Sequence, residues 1–291
     1  MCEHLIDLII PTYKPGAEFS ETLRGLASQT ILPDRLFVVN TEEEFWDPGL
    51  ERDYPGLIVS HISKSEFNHG TTRFEAAKES DARILMFMTQ DAVPADTRLI
   101  EKLIGPIERG EAAASYARQI AGAGADPIEK ITRKYNYPPV SRIKSRDDLE
   151  ELGVKTFFCS NVCAAYDREI YEKLGGFPHP LEFNEDMIYA SKLIEAGYRI
   201  SYTADAKVFH SHNYSAKEQY ERNFLVGRTQ AMYPEIFEKY PSEKEGIGLV
   251  KDTASGLIRC GKPMYVFKLA VLSGAKYLGY RAGKRSVKRS I

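Results

Sequence analysis

Short apolar runs alternate with amphipathic stretches through the first half of the chain. The apolar runs are typical of buried strands, and the spacing of apolar residues between them is typical of helices. Because the connections between strands are too long for hairpins, the alternation predicts an α/β fold with a doubly wound, mostly parallel sheet flanked by helices. The predicted strands are Leu5–Tyr13, Leu36–Asn40, Leu57–Ile62, Ile84–Thr89 and Ala112–Arg118, and the predicted helices are Glu18–Gln29, Thr72–Ser80 and Asp96–Arg109.

The second half of the chain is less regular. Its predicted elements are strands over Lys155–Tyr166 and Tyr198–His210 and helices over Asp167–Leu174 and Glu185–Ala196. Asn184 precedes the last of these helices and is a suitable N-cap, and the pair Ser215 and Glu218 predicts a capping box at the start of another helix. Gly122–Arg146 is rich in glycine, proline and charge, so we expect a long irregular loop there.

Charge is distributed unevenly along the chain. The 291 residues carry 39 Lys and Arg against 41 Asp and Glu, a balance that argues against nucleic acid as a partner. From Thr253 to Ile291, however, there are nine basic residues and no acidic ones. We therefore separate a domain over residues 1–213 from a C-terminal helical extension over residues 214–291, whose basic tail suits contact with phosphate, either in lipid headgroups or in nucleic acid.

The extension contains an apolar segment, Met264–Tyr280, that is interrupted by Lys268 and Lys276. Its uninterrupted runs are too short for a membrane span, which needs about 20 apolar residues. The mixture of basic and aromatic residues favours an interfacial segment on an anionic membrane leaflet, and a helix packed on the body of the protein is the alternative. The same segment could serve a homodimer.

Cysteine content and the start of the chain indicate the compartment. The apolar segment around Cys159 and Cys163 favours buried free thiols, because no second pair completes a zinc site. The first residues lack the charged region and apolar run of a secretory signal peptide. Both features predict a cytoplasmic protein, which the basic tail would hold at the inner face of the cell membrane.

Polar residues follow the predicted strands at the edge where an open α/β sheet binds ligands. They are Thr12, Tyr13, Asn40, Thr41, Gln90, Asp91 and the segment Ser63–Arg73. Asp91 ends a strongly apolar strand. A carboxylate there suits Mg²⁺ or Mn²⁺ bound to a diphosphate, since such a cation needs only one or two protein carboxylates. The alternative is that Asp91 caps the helix that starts near Asp96 or makes a turn with Pro94.

Two further groups offer chemistry later in the chain. Glu185 and Asp186 open a helix. Either both are acids that the helix dipole stabilises, or one of them is a general base. His210 and His212 lie on one face if their strand continues through them. Either both are structural residues, or one of them is a metal ligand. The residues alone leave both alternatives open.

The segment from Phe67 to Arg73 leads from a strand into a helix. Gly70 permits a tight approach, the first backbone N–H groups of the helix favour an anion, and Arg73 could clamp a phosphate. The alternative is an ordinary capped helix start, since the segment matches neither of the common glycine-rich phosphate motifs.

Six segments between Leu5 and Asn213 occur in an order that resembles a family 2 glycosyltransferase with a GT-A fold. They are LIIPTYKPG, LRGLASQTILPDRLFVVN, FNHGTTRFEAA, ILMFMTQDAVP, FFCSNVCAAYDREIYEKLGGFP and FNEDMIYASKLIEAGYRISYTADAKVFHSH. The TQDA form, the HG-TR segment and the closing HSHNYS are most similar to the rhamnosyltransferase-like branch, which builds bacterial surface polysaccharides from dTDP-rhamnose.

The resemblance implies inverting transfer of a sugar from a nucleoside diphosphate donor to a glycan, free or carried on polyprenyl diphosphate. It implies that Asp186, beside Glu185, is the catalytic base. It also implies that Asp91 holds the metal and the sugar diphosphate, and that His210, or alternatively His212, completes the metal site. The expected substrate-binding residues are Pro11, Thr12, Tyr13, Asn40, Thr41, His69, Gly70, Arg73, Gln90 and Asp91.

Thr71 and Phe74 replace the Gly and Asn of the commoner HGGTRN form, and two further departures from the family pattern remove acids. Gln90-Asp91-Ala92 stands where the family has Asp-x-Asp, and Asn40-Thr41 stands where it usually has two acids near the base and ribose. A sugar nucleotidyltransferase is an alternative function, although the glycine-rich loop expected after its first strand is missing. A non-catalytic nucleotide-sugar-binding module of the same fold is another, and the lost acids are its support.

Overall fold

The computed structural model describes residues 5–288 and contains, within that range, a mixed nine-stranded sheet with helices on both faces. The strands are β1 (Ile6–Tyr13), β2 (Arg35–Thr41), β3 (Ile58–Ile62), β4 (Ile84–Met88), β5 (Val93–Pro94), β6 (Ala114–Ile120), β7 (Arg142–Lys144), β8 (Cys163–Asp167) and β9 (Ile200–Phe209). The helices are α1 (Ala17–Ala27), α2 (His69–Lys78), α3 (Leu99–Glu108), α4 (Pro127–Asn136), α5 (Leu149–Leu152), α6 (Arg168–Lys173), α7 (Glu185–Glu195), α8 (Ala216–Met232), α9 (Pro234–Phe237), α10 (Glu243–Arg259) and α11 (Met264–Lys288).

The strands lie in the order β3-β2-β1-β4-β8-β6-β9-β5, with β7 paired to β9. The first four are parallel to one another, as are β6 and β9, which confirms the predicted doubly wound sheet. β8 is inserted between β4 and β6 and runs antiparallel to both, a feature that the alternation does not predict. Because of this direction, the start of β8 lies beside the carboxyl end of β4.

Buried apolar residues alternate between the two faces of the central strands. On β1, Leu8 and Ile10 pack in the core that includes α1 and α3, whereas Ile9 packs in the core that includes α6 and α7. All three are fully buried. Strands that are covered on both faces have continuous apolar sequences, which is why the apolar runs locate them well.

The predicted loop over Gly122–Arg146 is wrong, because the structure places α4 and β7 within it. Asp126 caps α4 by accepting a hydrogen bond from the Glu129 N–H at 2.9 Å, and Pro127 occupies the first position of the helix. Proline is tolerated there because the first N–H groups of a helix have no intrahelical partner. The Asp-Pro pair is thus a helix-start signal that the composition of the segment obscures.

The start of β8 and the capping of α7 also differ from the prediction. β8 begins only at Cys163, since the first part of the predicted strand Lys155–Tyr166 contributes to a 3₁₀-helix over Gly153–Phe157. Asn184 precedes α7 as expected, but its backbone is left-handed with φ 64° and its side chain makes no capping hydrogen bond. The predicted capping box at Ser215 is confirmed.

The C-terminal helices pack closely on one another. At Gly283 a Cβ would lie 2.0 Å from the Phe224 carbonyl oxygen, so the contact between α8 and α11 requires glycine. Leu257 of α10 and Leu269 of α11 share a core with Ile128 of α4, so the segment expected as a loop belongs to this helical layer. The domain boundary at residue 213 stays a prediction. Within residues 5–288, no helix combines the length and the apolar content needed to cross a bilayer.

Candidate active site

An aspartate and two histidines meet at the carboxyl end of β4. Asp91 lies in the turn after this strand, and β9 ends beside β5 and β6 so that His210 and His212 reach the same point. Asp91 Oδ1 is 3.5 Å from His210 Nε2, and Asp91 Oδ2 is 3.1 Å from His212 Nε2. The two Nε2 atoms are 3.0 Å apart. One potential ligand atom from each residue thus lies within 4.8 Å of the other two. We call these three residues the Asp91 site.

Protonation within the Asp91 site is set by burial and by the mutual contacts of its members. Burial alone would raise the pKa of Asp91, but the imidazoles of His210 and His212 outweigh it and hold that pKa well below its usual range. Burial lowers the pKa of His210, although Asp91 opposes the shift. An ionised carboxylate beside a neutral imidazole is the state in which these side chains bind metal.

The donor set of the Asp91 site fits a divalent cation. One carboxylate and two imidazoles leave coordination positions open for substrate oxygens and water. The second ring nitrogen of His210, Nδ1, lies 2.9 Å from Gln119 Oε1. Such a contact is what orients a metal-binding histidine. The Asp91 site is therefore a candidate metal centre.

A cleft of about 540 Å³ opens beside the Asp91 site. Its lining includes Glu18 and Glu21 of α1, the loop over residues 122–125, Phe209 at the end of β9, Asp91 and His210. This volume lies within the usual range for small-molecule sites, roughly 300–1,000 Å³. A ligand in the cleft can therefore contact the Asp91 carboxylate directly.

Asp186 lies in the first turn of α7, and each of its carboxylate oxygens accepts a backbone hydrogen bond. Oδ2 accepts from the Asn161 N–H at 3.0 Å, and Oδ1 accepts from the Met187 N–H at 2.7 Å. Burial raises the pKa of Asp186 to about 7, and the adjacent Glu185 carboxylate contributes to the increase. The residue is still partly exposed. A partly exposed aspartate with a pKa near neutrality is suited to act as a general base.

Glu185 has a different environment from its neighbour. It is buried and forms an ion pair with Arg73, whose NH1 lies 2.9 Å from Oε1. Arg73 NH1 also lies 3.1 Å from His69 Nδ1. Burial alone would raise the pKa of Glu185, but the Arg73 cation, His69 and the hydrogen bond from Asn161 together outweigh it, so that pKa lies below its usual range. Burial, together with Arg73, lowers the pKa of His69 to about 4. The ion pair thus keeps Glu185 charged and leaves Asp186 as the acid that titrates near neutrality.

Asn161 is a residue of this site that the sequence analysis does not identify. Its backbone N–H donates to Asp186, and its side-chain Nδ2 donates to Glu185 Oε1 at 3.1 Å. Its Oδ1 accepts from the Tyr166 hydroxyl at 2.8 Å. Asn161 therefore holds both adjacent acids. A polar residue inside the apolar segment CSNVC is the signal that the sequence offers for it.

Gln119 connects the two halves of the site and is also missed by the sequence analysis. Its Oε1 contacts His210 Nδ1, and its Nε2 donates to Ser160 Oγ at 3.0 Å. Ser160 directly precedes Asn161, which holds Asp186. The Asp91 site and the candidate base are thus linked through one buried amide and a single loop.

Several predicted nucleotide-binding residues lie side by side at the carboxyl ends of β1 and β2. Thr12 and Asn40 are in register, and the Thr12 hydroxyl donates to Asn40 Oδ1 at 3.1 Å. Thr41 Oγ1 is buried and has no hydrogen-bond partner within the described residues 5–288. Contact of these residues and of Pro11 with a nucleotide stays a prediction.

Gln90, which stands in place of an acid, joins the turn after β4 to the end of β1. Its Oε1 accepts from the Tyr13 N–H at 2.9 Å, and its Nε2 donates to the Tyr13 carbonyl at 3.1 Å. Its own carbonyl accepts from the Thr22 hydroxyl of α1 at 3.1 Å. The amide therefore positions the backbone beside Asp91, and a direct substrate contact by Gln90 or Tyr13 stays a prediction.

The start of α2 differs from the expected anion site. The Gly70 N–H donates to the Leu181 carbonyl at 2.9 Å, and a Cβ on Gly70 would lie 2.2 Å from the Pro178 carbonyl oxygen. The Thr71 N–H donates to the Asn68 side chain at 3.1 Å. The glycine thus serves close packing, and an anion site at these two backbone donors is wrong because both are paired within the protein. Substrate contacts by the side chains of this segment stay predictions.

The fold is of the GT-A type, and solved structures share it. One is mannosyltransferase PcManGT from Pyrobaculum calidifontis in complex with GDP-Man and Mn²⁺, with a TM-score of 0.62 and 16% identity over 95% of this chain and 87% of that one. Another is S. aureus TarS 1-349 in complex with UDP-GlcNAc, with a TM-score of 0.55 and 16% identity over 98% of this chain and 92% of that one.

The chain belongs to glycosyl transferase family 2, whose model matches residues 7–175. It is 38% identical over 281 residues to the O-antigen chain rhamnosyltransferase RfbN of Salmonella typhimurium, covering 96% of this chain and 89% of that protein. It is 36% identical over 282 residues to the O-antigen chain rhamnosyltransferase WbaN of Salmonella anatum, covering 95% and 88%. The resemblance to a rhamnosyltransferase-like branch is confirmed.

Proposed function

We propose that this glycosyltransferase inverts the anomeric centre as it moves rhamnose from dTDP-rhamnose to a hydroxyl group of a glycan in O-antigen synthesis. The observation that carries the proposal is that Gln119 and Asn161 link the Asp91 site to Asp186 at one end of the sheet. The names of the two Salmonella relatives support the sugar and the product class. Membership of family 2 favours this function over nucleotidyl transfer and over a non-catalytic module.

Asp186 is the proposed general base. Its carboxylate takes the proton of the acceptor hydroxyl while that oxygen attacks the anomeric carbon, and the nucleoside diphosphate leaves from the opposite face. The backbone N–H groups of Asn161 and Met187 hold the two carboxylate oxygens, so the lone pair that accepts the proton has a fixed direction. Positioning of this kind contributes to the rate because the reacting atoms are held in place before reaction.

Asp91, His210 and His212 would hold the cation. When bound, it would supply positive charge against the negative charge that collects on the diphosphate leaving group. A set of one carboxylate and two imidazoles favours Mn²⁺ over Mg²⁺, because Mg²⁺ prefers oxygen ligands throughout. The Mn²⁺ in the mannosyltransferase structure supports this choice.

A thermal-shift series with dTDP, UDP and GDP, each with Mn²⁺, with Mg²⁺ and without metal, tests the donor base and the cation together. We expect dTDP with Mn²⁺ to raise Tm most, since a ligand at about 100 times its Kd stabilises the folded state by about 2.7 kcal/mol. Asp91→Asn should lose the Mn²⁺-dependent part of the shift. Asp205→Asn, which alters an exposed aspartate of β9, should keep it. Equal shifts for all three nucleotides would contradict the proposed donor base. Shifts that do not depend on Mn²⁺ would contradict the proposed cation.

The acceptor is proposed to be a glycan on polyprenyl diphosphate, so the enzyme would work at the inner face of the cell membrane. α11 presents an exposed apolar stripe on one face, in which Met264 and Phe267 are each 79% exposed and Leu278 is 61% exposed. α11 contains no acidic residue, and Arg281 and Arg285 follow the stripe. This charge favours an anionic leaflet over a second copy of the chain, whose basic residues would repel those of the first.

Vesicle flotation tests the membrane contact. Burial of a large apolar side chain contributes about 1.5–3 kcal/mol. We therefore expect Met264→Ser/Phe267→Ser to weaken binding to phosphatidylglycerol vesicles at least about tenfold. Val140→Ser, at an apolar residue that is 71% exposed elsewhere on the surface, is the matched control. Deletion of Lys284–Ile291, whose last three residues lie outside the described range, should weaken binding further. Unchanged flotation of the double variant would show that α11 does not bind the membrane. Loss of a dimer in that variant would instead show that the apolar stripe contacts a second copy of the chain.

A further inference from the structure

The hydrogen bonds of Gln119 determine which nitrogen of His210 carries the proton. Gln119 is 3% exposed, so both ends of its amide need partners within the protein. Arg133 NH1 donates to Gln119 Oε1. A guanidinium group has donors and no acceptor, so the amide atom that faces Arg133 must be the carbonyl oxygen. The orientation of the Gln119 amide is therefore fixed by chemistry.

His210 Nδ1 lies 2.9 Å from the same oxygen. Because a carbonyl oxygen only accepts hydrogen bonds, Nδ1 must carry a proton, and in the neutral imidazole Nε2 therefore keeps its lone pair. Nε2 lies 3.0 Å from His212 Nε2 and 3.5 Å from Asp91 Oδ1, so this lone pair is available inside the Asp91 site. Without metal, the Nε2 lone pair of His210 can accept a hydrogen bond from His212. The proton on His210 Nδ1 stays in place in that arrangement.

We infer that Arg133 and Gln119 are positioning residues, which fix His210 in the Nδ1–H tautomer and so present Nε2 to a divalent cation. The inference rests on the proposed function in taking the Asp91 site as the cation site. Loss of a hydrogen bond to the outer nitrogen of a metal-binding histidine weakens metal binding by about 10–100-fold. Among the described residues, Arg133 donates its side-chain hydrogen bonds to Gln119 and Glu129, and its positive charge also lowers the pKa of His210.

The surroundings hold both positioning residues in place. Arg133 Nε donates to Glu129 Oε1 at 2.6 Å on the same helix, α4. Gln119 Nε2 donates to the Tyr137 hydroxyl at 2.5 Å and to Ser160 Oγ at 3.0 Å. A flip of the amide would therefore break contacts at both ends. Composition alone predicts a loop where α4 lies. This helix thus supplies Arg133, which orients the proposed metal ligand His210 through Gln119.

Long-range ¹H–¹⁵N correlation spectra of the metal-free protein test the tautomer directly, in mildly alkaline buffer where imidazole is neutral. We expect His210 in the Nδ1–H form in the wild type. Arg133→Met should free the amide to flip and lower the population of that tautomer, whereas Lys134→Met, at the exposed neighbouring position of α4, should leave it unchanged. An Nε2–H tautomer in the wild type would overturn the inference without any variant.

Mn²⁺ affinity, measured by electron paramagnetic resonance or calorimetry, gives a second readout. Gln119→Met should weaken Mn²⁺ binding about 10–100-fold. Gln119→Glu keeps an oxygen that accepts from both Arg133 and His210, so it should retain the tautomer and bind Mn²⁺ more tightly than Gln119→Met. Equal losses in both variants, with the tautomer unchanged, would show a merely structural role and overturn the inference. If the wild type binds no Mn²⁺, the proposed cation is wrong, while the metal-free spectra still decide the tautomer.

Discussion

Replacement of Asp186 by asparagine is expected to lower turnover about 10²–10⁴-fold, the usual contribution of a general base. The amide has nearly the shape of the carboxylate, but it cannot take the proton of the acceptor hydroxyl. Transfer from dTDP-rhamnose to a lipid-linked glycan acceptor measures kcat. Calorimetry with dTDP measures donor binding, which should survive because Asp186 is not among the proposed contacts of the diphosphate.

The same base predicts the acid limb of the pH–rate profile. Burial, together with Glu185, raises the pKa of Asp186 to about 7. A base acts only when deprotonated, so the rate should fall as the pH drops through about 7, and this limb should be absent from the residual activity of Asp186→Asn. Asp205→Asn provides the control, since it makes the same chemical change at an exposed site. A variant that keeps its turnover, or one that loses donor affinity instead, would contradict the assignment of Asp186.

The apolar runs predict the central strands because both faces of the sheet are covered. The same logic predicts that residues after those strands share one edge, and Asp91 does lie beside His210 and His212. Sequence reasoning fails where a partner is distant in the chain and the pairing depends on strand direction. Asn161 reaches Asp186 because β8 runs antiparallel between β4 and β6, and alternation of strands and helices carries no information about that insertion.

Arg73 illustrates the same limit. Its position at a helix start, near a glycine, favours a phosphate contact, and nothing near it in sequence indicates a different partner. In the structure its partner is Glu185, which is 112 residues away and only 5% exposed. The arginine thus keeps one acid of the Glu185-Asp186 pair ionised. The sequence alone does not distinguish this role from direct binding of substrate.

Arg73→Met should therefore destabilise the fold by about 3–5 kcal/mol, the usual cost of breaking a buried ion pair from one side. The cost arises because Glu185 would remain buried with Asn161 as its side-chain donor but without a countercharge. Chemical denaturation measures the free energy of unfolding. The matched control is Lys78→Met on the same helix, whose ion pair with Glu75 is about as short, at 2.8 Å, but is exposed. That change should cost at most about 1 kcal/mol.

The double variant Arg73→Met/Glu185→Met separates the structural role of Arg73 from a substrate contact. If Arg73 serves mainly to neutralise Glu185, removing both charges should cost less than the sum of the two single changes, since no unpaired charge remains buried. If Arg73 also binds the donor diphosphate, dTDP affinity should fall in both variants that lack it, whatever their stability. A single variant as stable as Lys78→Met would contradict the buried ion pair, and the predicted phosphate contact would then be the better account of this arginine.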